Sequence, residues 1–242
     1  MFWRVKVTFY SDKPIVLPLN YNHILQSCIY KTLTPELSSF LHSKGFEVEG
    51  RVFKLFTFSK LFGKYKVSNR VISFIPPVYF YFSTSVNLII DTLSAEVLKI
   101  KQVRIGNNQV MVESVDFNII KPSNEVDVKT VSPITVHIPE ENKNRYLSPY
   151  DERFFEFLKS NLNRKFMANF GYSSDDVLII PLSKRWKKVV TFFKNTPVVG
   201  WEGRLLLKGE EKMIGLALST GLGSKNSQGF GMIIEQDNQI RK

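Results

Sequence analysis

Eleven residues, Gly221-Leu222-Gly223-Ser224-Lys225-Asn226-Ser227-Gln228-Gly229-Phe230-Gly231, set tight limits on the fold around them. Two glycine–hydrophobic–glycine triplets bracket five polar residues, one of them a lysine. Glycine accepts positive φ and has no Cβ to hold a neighbour away. The run therefore reads as a loop of outward-turned N–H groups suited to an anion, or as a connection that only turns tightly. In the first case Lys225 adds a point charge, and in both cases Leu222 and Phe230 tie the ends to a core. A helix is expected before it, from Glu210 to Ser219, and a strand after it, from Phe230 to Glu235. A dinucleotide-binding Gly-x-Gly-x-x-Gly loop follows a strand and opens a helix, so this reversed order excludes that class.

A net charge of +11 and a pI near 9.6 call for an anionic partner. No apolar run approaches the ~18 residues of a spanning helix, so nucleic acid is favoured over membrane. Residues 1–7 alternate like a strand and show no signal-peptide core. The single cysteine, Cys28, cannot form an intrachain disulfide and fits a reducing, cytoplasmic setting. His23, His42 and His137 lack any zinc-site spacing, and no acidic cluster suggests a two-metal nuclease. No metal or cofactor is expected. A nuclease of this kind would act on RNA, which carries its own 2′-OH nucleophile.

Along the chain, residues 3–9 alternate as a half-buried strand, and Asn22 stands as the cap of a helix from His23 to about Leu33. Leu25 and Ile29 lie on its buried stripe, with Tyr30 about 140° from Leu25 and so on a flank. Thr34-Pro35 starts a second helix, in which His42 flanks the stripe of Leu37 and Leu41. Residues 51–58 read as one strand, with Lys54 on the same face as Phe56 and Phe58. Lys60, Lys64, Lys66 and Arg70 form a basic loop before the aromatic strand at 78–84. A third helix to about Leu98 and strands at 100–105 and 109–119 follow. The polar stretch 121–130 marks a boundary between domains 1–120 and 121–242.

The second half repeats the order: a strand at 131–138, a helix from Ser148 to about Asn169, strands at 176–182, 188–193 and 196–208, then the short helix and last strand. The fold class is α+β, two tandem ferredoxin-like (RRM-like) domains with antiparallel sheets. Lys184, Arg185, Trp186 and Lys187 sit in the densest basic cluster, where Trp186 either stacks on a base or half-packs in a surface turn.

The glycine run resembles the glycine-rich loop of CRISPR-associated endoribonucleases of the RAMP superfamily, which cut repeat RNA into guide RNAs. That family's pattern is Gly-hydrophobic-Gly, five residues including Lys or Arg, then Gly-hydrophobic-Gly, and residues 221–231 match at each position. A Tyr–His–Lys set often does the chemistry there. Tyr30, His42 and Lys54, the last within Lys54-Leu55-Phe56-Thr57-Phe58, fall on the matching positions.

The resemblance implies metal-independent cleavage of CRISPR repeat RNA, with 2′-OH attack leaving a 2′,3′-cyclic phosphate and a 5′-OH. Tyr30 would orient or help deprotonate the 2′-OH, His42 would protonate the leaving oxygen, and Lys54 would stabilise the phosphorane. Gly221, Gly223, Lys225, Asn226, Ser227, Gly229 and Gly231 would hold the RNA backbone. His23, at a helix start, is the rival acid, and His137 reads as structural. Interference-complex subunits are implied as further partners, and the chain as a monomer or homodimer. A related subunit that holds guide RNA without cutting it is the alternative. A metabolic enzyme on this fold would leave the positive charge unexplained.

Overall fold

The computed structural model describes residues 1–97, 101–140 and 143–236. The expected helix end at Leu98, the expected strand start at Ile100 and residues 237–242 lie outside the described residues. The first half runs β1 (Trp3–Tyr10), β2 (Ile15–Pro18), α1 (Asn22–Lys31), α2 (Pro35–Ser43), β3 (Phe46–Val48), β4 (Arg51–Phe53), β5 (Phe56–Phe58), β6 (Phe62–Ser68), β7 (Val71–Thr84), α3 (Asn87–Val97), β8 (Gln102–Ile105) and β9 (Asn108–Ile119). The second runs β10 (Glu125–Thr130), β11 (His137–Glu140), β12 (Lys143–Tyr146), α4 (Arg153–Phe170), β13 (Val177–Pro181), β14 (Lys187–Phe193), β15 (Thr196–Glu202), β16 (Arg204–Gly209), α5 (Glu211–Thr220) and β17 (Ile233–Glu235).

Among the described residues, the first sheet has seven strands in the path β2-β7-β1-β9-β8, with β5 and β6 also paired to β7. The second is β13-β16-β10-β17. Pairing is antiparallel throughout. In each sheet the first strand of the repeat (β1, β10) lies between the third (β7, β16) and the fourth (β9, β17), which is the ferredoxin-like order twice over.

Alternation and helical spacing account for the two cores. Val5 and Phe9 of β1 pack under Leu25 and Ile29 of α1, Leu37 and Leu41 of α2, and Ile89 of α3. Phe154, Leu158, Leu162 and Phe166 of α4 meet Ile214 and Leu218 of α5 over the second sheet. Each such fully buried side chain stabilises the fold by about 1.5–3 kcal/mol. The two cores are joined as well as adjacent. Phe2, just before β1, packs with the second core, where a Cβ on Gly215 of α5 would lie 2.3 Å from its ring.

Several expected elements differ. Residues 51–58 are two strands: β4 pairs with β3, and β5 pairs with β7. The reason is Leu55, whose φ of 53° breaks the extended backbone between them. β14 and β15 form a separate hairpin, and the second repeat is completed by β13 with β16. The strand expected at 131–138 is reduced to an isolated bridge, Ile134 to Trp201, before β11 begins at His137. Asn22 does not cap α1, because the helix begins at Asn22 itself with Tyr21 in the cap position, and its amide nitrogen donates to the carbonyls of Gln228 and Gly229, at 3.1 and 3.2 Å. Thr34 does cap α2, accepting from the Leu37 N–H, with Pro35 at the first helical position.

Candidate functional site

The break at Leu55 directs the lysine before it. The Leu55 carbonyl accepts from the Thr84 hydroxyl at 2.8 Å, which holds the left-handed residue in place. Lys54 then lines a cavity of about 330 Å³ between the two halves of the molecule. Its Nζ donates to the His42 carbonyl at 3.2 Å, tying the strand to the end of α2. Burial pulls the Lys54 ammonium below the usual lysine range. The Tyr30 ring meets the His42 ring edge-on at 6.5 Å and the Phe56 ring at 5.9 Å. Burial pushes the Tyr30 phenol up to about 12, so at neutral pH it is a hydroxyl that gives and takes hydrogen bonds. His42 is exposed and Tyr30 half-buried, and the ring contact and the Lys54 bond bring residues of α1, α2 and the β4–β5 break together, with Lys54 as the one that lines the cavity.

The glycine run forms the opposite wall, and its glycines face inward. Gly221, Gly223, Gly229 and Gly231 are all buried, with φ between 72° and 84°. A Cβ on Gly231 would lie 1.9 Å from the Leu222 carbonyl oxygen, and one on Gly223 would lie 2.4 Å from that of Thr135. A Cβ on Gly229 would meet the Phe58 ring at 2.6 Å. Close packing of backbone against backbone and against the first half explains why all four are glycine, and Gly223 also lines the cavity.

What the loop presents outward is Ser224 to Gln228, all half-buried. The N–H groups of Lys225, Asn226 and Ser227 have no acceptor among the described residues. Lys225 itself is held at φ 60°, and burial lowers its ammonium. Asn226 and Ser227 are partly used within the protein. The Asn226 amide donates to the Leu222 and Phe230 carbonyls, both at 3.0 Å, and the Ser227 carbonyl accepts from Gln26 at 2.7 Å. The Phe230 carbonyl also accepts from Thr57 of β5 at 3.0 Å. Strand β5 and the loop are thus bonded directly, with Lys54 three residues from the joint.

Sequence reasoning missed two basic residues of the cavity. Lys165 on α4 is 3% exposed and donates to Asn226 Oδ1 at 2.6 Å, to the Gly221 carbonyl at 2.8 Å and to that of Thr220 at 3.4 Å. It lies on the apolar stripe beside Phe166, and a lysine at a core position was the available signal. Arg51 on β4 lines the same cavity. His137 is also drawn in. Burial lowers its imidazole, and the nearby charges of Lys225 and Arg51 lower it further. His23 instead places Nδ1 3.0 Å from the Asn20 carbonyl, so that nitrogen carries the proton in this bond.

The basic cluster on the β14 side does not reach the cavity. Lys184, Arg185 and Lys187 are exposed, and Lys187 pairs with Glu202 at 3.5 Å. Trp186 is 8% exposed and packs among Phe154 and Phe155, over Gly203, where a Cβ would lie 2.5 Å from the indole. Its ring belongs to the core and offers no free face to a base, which corrects the stacking expectation.

A family model described as the C-terminal part of CRISPR associated protein Cas6 matches residues 113–234, and one for a Cas6 N-terminal part matches residues 16–116. The chain belongs to the Cas6 family. It is 25% identical to the CRISPR-associated endoribonuclease Cas6 of Pyrococcus furiosus, over 96% of this chain and 88% of that one. It is 27% identical to the CRISPR-associated endoribonuclease Cas6 1 of Methanocaldococcus jannaschii, over 99% and 95%. A solved structure of a Cas6-related gene product from Pyrococcus furiosus superposes with a TM-score of 0.84 at 22% identity, covering 99% of this chain and all of that one. A RAMP protein described as binding different RNA substrates superposes at 0.80 with 26% identity, over 97% of this chain and all of that one. The paired ferredoxin-like order is therefore the Cas6 architecture.

Proposed function

We propose that this Cas6 chain is an endoribonuclease that cuts CRISPR repeat RNA into guide RNAs without a metal ion. The carrying observation is a cavity lined both by Lys54, which is bonded to the His42 carbonyl beside Tyr30, and by Lys225 to Ser227, whose amides are unbonded. The assigned activity of the two relatives supports the reading, as does the positive charge of +11. Residues 1–120 supply the chemistry, and 121–242 supply the loop that holds the backbone.

In this reading the 2′-oxygen bonds to the adjacent phosphorus, and the bond from phosphorus to the 5′-oxygen breaks. The products are a 2′,3′-cyclic phosphate and a 5′-OH. The Tyr30 phenol orients the 2′-OH, whose proton passes to solvent. The His42 imidazolium delivers a proton to the departing 5′-oxygen. The Lys54 ammonium stabilises the charge that gathers on the phosphorane oxygens, and its lowered hydration in the cavity strengthens that effect. Lys225 and the loop amides hold a neighbouring phosphate.

The test is cleavage of a cognate repeat RNA in EDTA. Wild type is expected to cut, a 2′-deoxy substitution at the scissile nucleotide to block cutting, and His42→Ala to slow it about 10²–10⁴-fold while binding persists. Loss of wild-type cutting in EDTA overturns the metal-free mechanism. Tight RNA binding with no cutting makes the chain a holder of guide RNA. No helix among the described residues is long and apolar enough to cross a membrane. Processed repeat RNA and interference-complex subunits are the partners this function implies, with the chain acting as a monomer or homodimer in the cytoplasm.

A further inference from the structure

Lys165 is a charged side chain in the core of α4's buried stripe, flanked by Leu162 and Phe166. Burial pulls its ammonium down to about 7, so keeping the charge here is costly. Three contacts offset that cost while the ammonium keeps its proton, at and below about pH 7. An ammonium has three hydrogens, and three acceptors surround it: the Thr220 and Gly221 carbonyls and Asn226 Oδ1. Two of these are carbonyls at the C-terminal end of α5, where a cation is favoured by the helix dipole.

The third contact is the informative one. Asn226 uses its amide nitrogen for the Leu222 and Phe230 carbonyls, one from each glycine–hydrophobic–glycine triplet. Its oxygen is left for Lys165. The side chain therefore bridges both ends of the loop, and Lys165 orients the bridge. The Phe230 carbonyl is shared with Thr57, so the same set of bonds reaches the Lys54 strand.

We infer that Lys165 is a positioning residue for the cleavage site: its ammonium clamps Asn226 across the two ends of the glycine loop and so fixes the free Lys225–Ser227 amides in the cavity they share with Lys54. Lys165 touches no RNA in this arrangement, since its three hydrogens are used. The inference rests on the proposed cleavage reaction for its effect on rate, and on the structure alone for its effect on the loop.

Two measurements separate those parts. The first is single-turnover cleavage of repeat RNA by wild type, Lys165→Met, Asn226→Ala and the double variant. Each single variant is expected to lower the rate at saturating protein about 10–100-fold, because a displaced backbone loses its alignment. The half-saturating protein concentration should move less than about threefold, because the exposed cations still hold RNA. The double variant should be no slower than the slower single variant, because the two residues act as one unit. A purely structural role would lower thermal stability without this split between rate and affinity, and multiplicative losses in the double variant would overturn the clamp. The second measurement is amide hydrogen exchange on the RNA-free protein. The Leu222 and Gly231 N–H groups, bonded to the Gly231 and Pro133 carbonyls, should exchange at least about tenfold faster in either single variant. Unchanged exchange sinks the inference. If Lys165→Met fails to fold, Asn226→Ala alone must loosen these amides. If wild type does not cut repeat RNA, the proposed function fails, and the exchange pattern still decides the clamp.

Discussion

The two walls of the cavity are built in opposite ways. On the first-half side, Tyr30, His42 and the wall residue Lys54 come from three separate elements, joined by ring edges and one 3.2 Å bond to a backbone carbonyl. The wall from the second half is a continuous loop with buried glycines and with backbone bonds at Leu222, Ser224, Gln228, Gly229 and Gly231. Few contacts tie the first group together, while a continuous set of backbone bonds frames the second. Variants in the first wall should therefore change rate without changing stability, and variants in the second should change stability first.

The largest expected effect tests the first wall. His42→Ala should cut the cleavage rate about 10²–10⁴-fold while moving unfolding free energy by less than about 0.5 kcal/mol, since the side chain is exposed. A large stability loss would erase the contrast. Next comes the frame. Gly231→Ala should cost more than about 4 kcal/mol in urea unfolding, because positive φ and a carbonyl 1.9 Å away act together. Gly50→Ala, at φ 71° with nothing within 4 Å, should cost only about 1–2 kcal/mol. Similar costs at both glycines would mean that backbone conformation, and not close approach, sets the frame.

Lys165 makes the frame's stability sensitive to pH. A lysine in the unfolded chain keeps its proton up to about 10.4. Burial lowers Lys165 to about 7 in the folded state, so between those values the unfolded chain binds more protons. Stability must then rise with pH across that window, and the full penalty is present below pH 7. Relative to Lys165→Met, wild type should gain on the order of a few kcal/mol between pH 7 and 10, read from urea midpoints. A constant difference would mean the amine keeps its proton throughout. The smallest effect concerns the basic cluster. Trp186→Phe should leave RNA affinity within about twofold, whereas loss of a stacked base would cost about 1–3 kcal/mol.

Sequence and structure agree where one chain segment determines its own form. The helix stripes of Leu25 and Ile29, the Thr34-Pro35 start and the ferredoxin-like class were readable because spacing and caps are local signals, whereas the first strand of the second repeat, β10, lies in the stretch read as a boundary. The glycine run was readable as a loop, but the direction its glycines face was not. That depends on Thr135, Phe58 and Leu222, which only the fold brings near. Trp186 misled for the same reason, since basic neighbours in sequence say nothing about Phe154 and Phe155 beneath the ring. Lys165 went unread because a lone lysine on an apolar stripe has meaning only once its acceptors, 55 to 61 residues away in the chain, are known.

Leu55 carries a lesson for anyone who would move this site to another scaffold. Copying Tyr30, His42 and Lys54 at their sequence spacing would leave the lysine on an uninterrupted strand. A leucine at φ 53° costs on the order of 1–2 kcal/mol, and the Thr84 hydroxyl on the neighbouring strand helps to hold it. A transplant must carry that kink and its hydroxyl partner along with the three side chains.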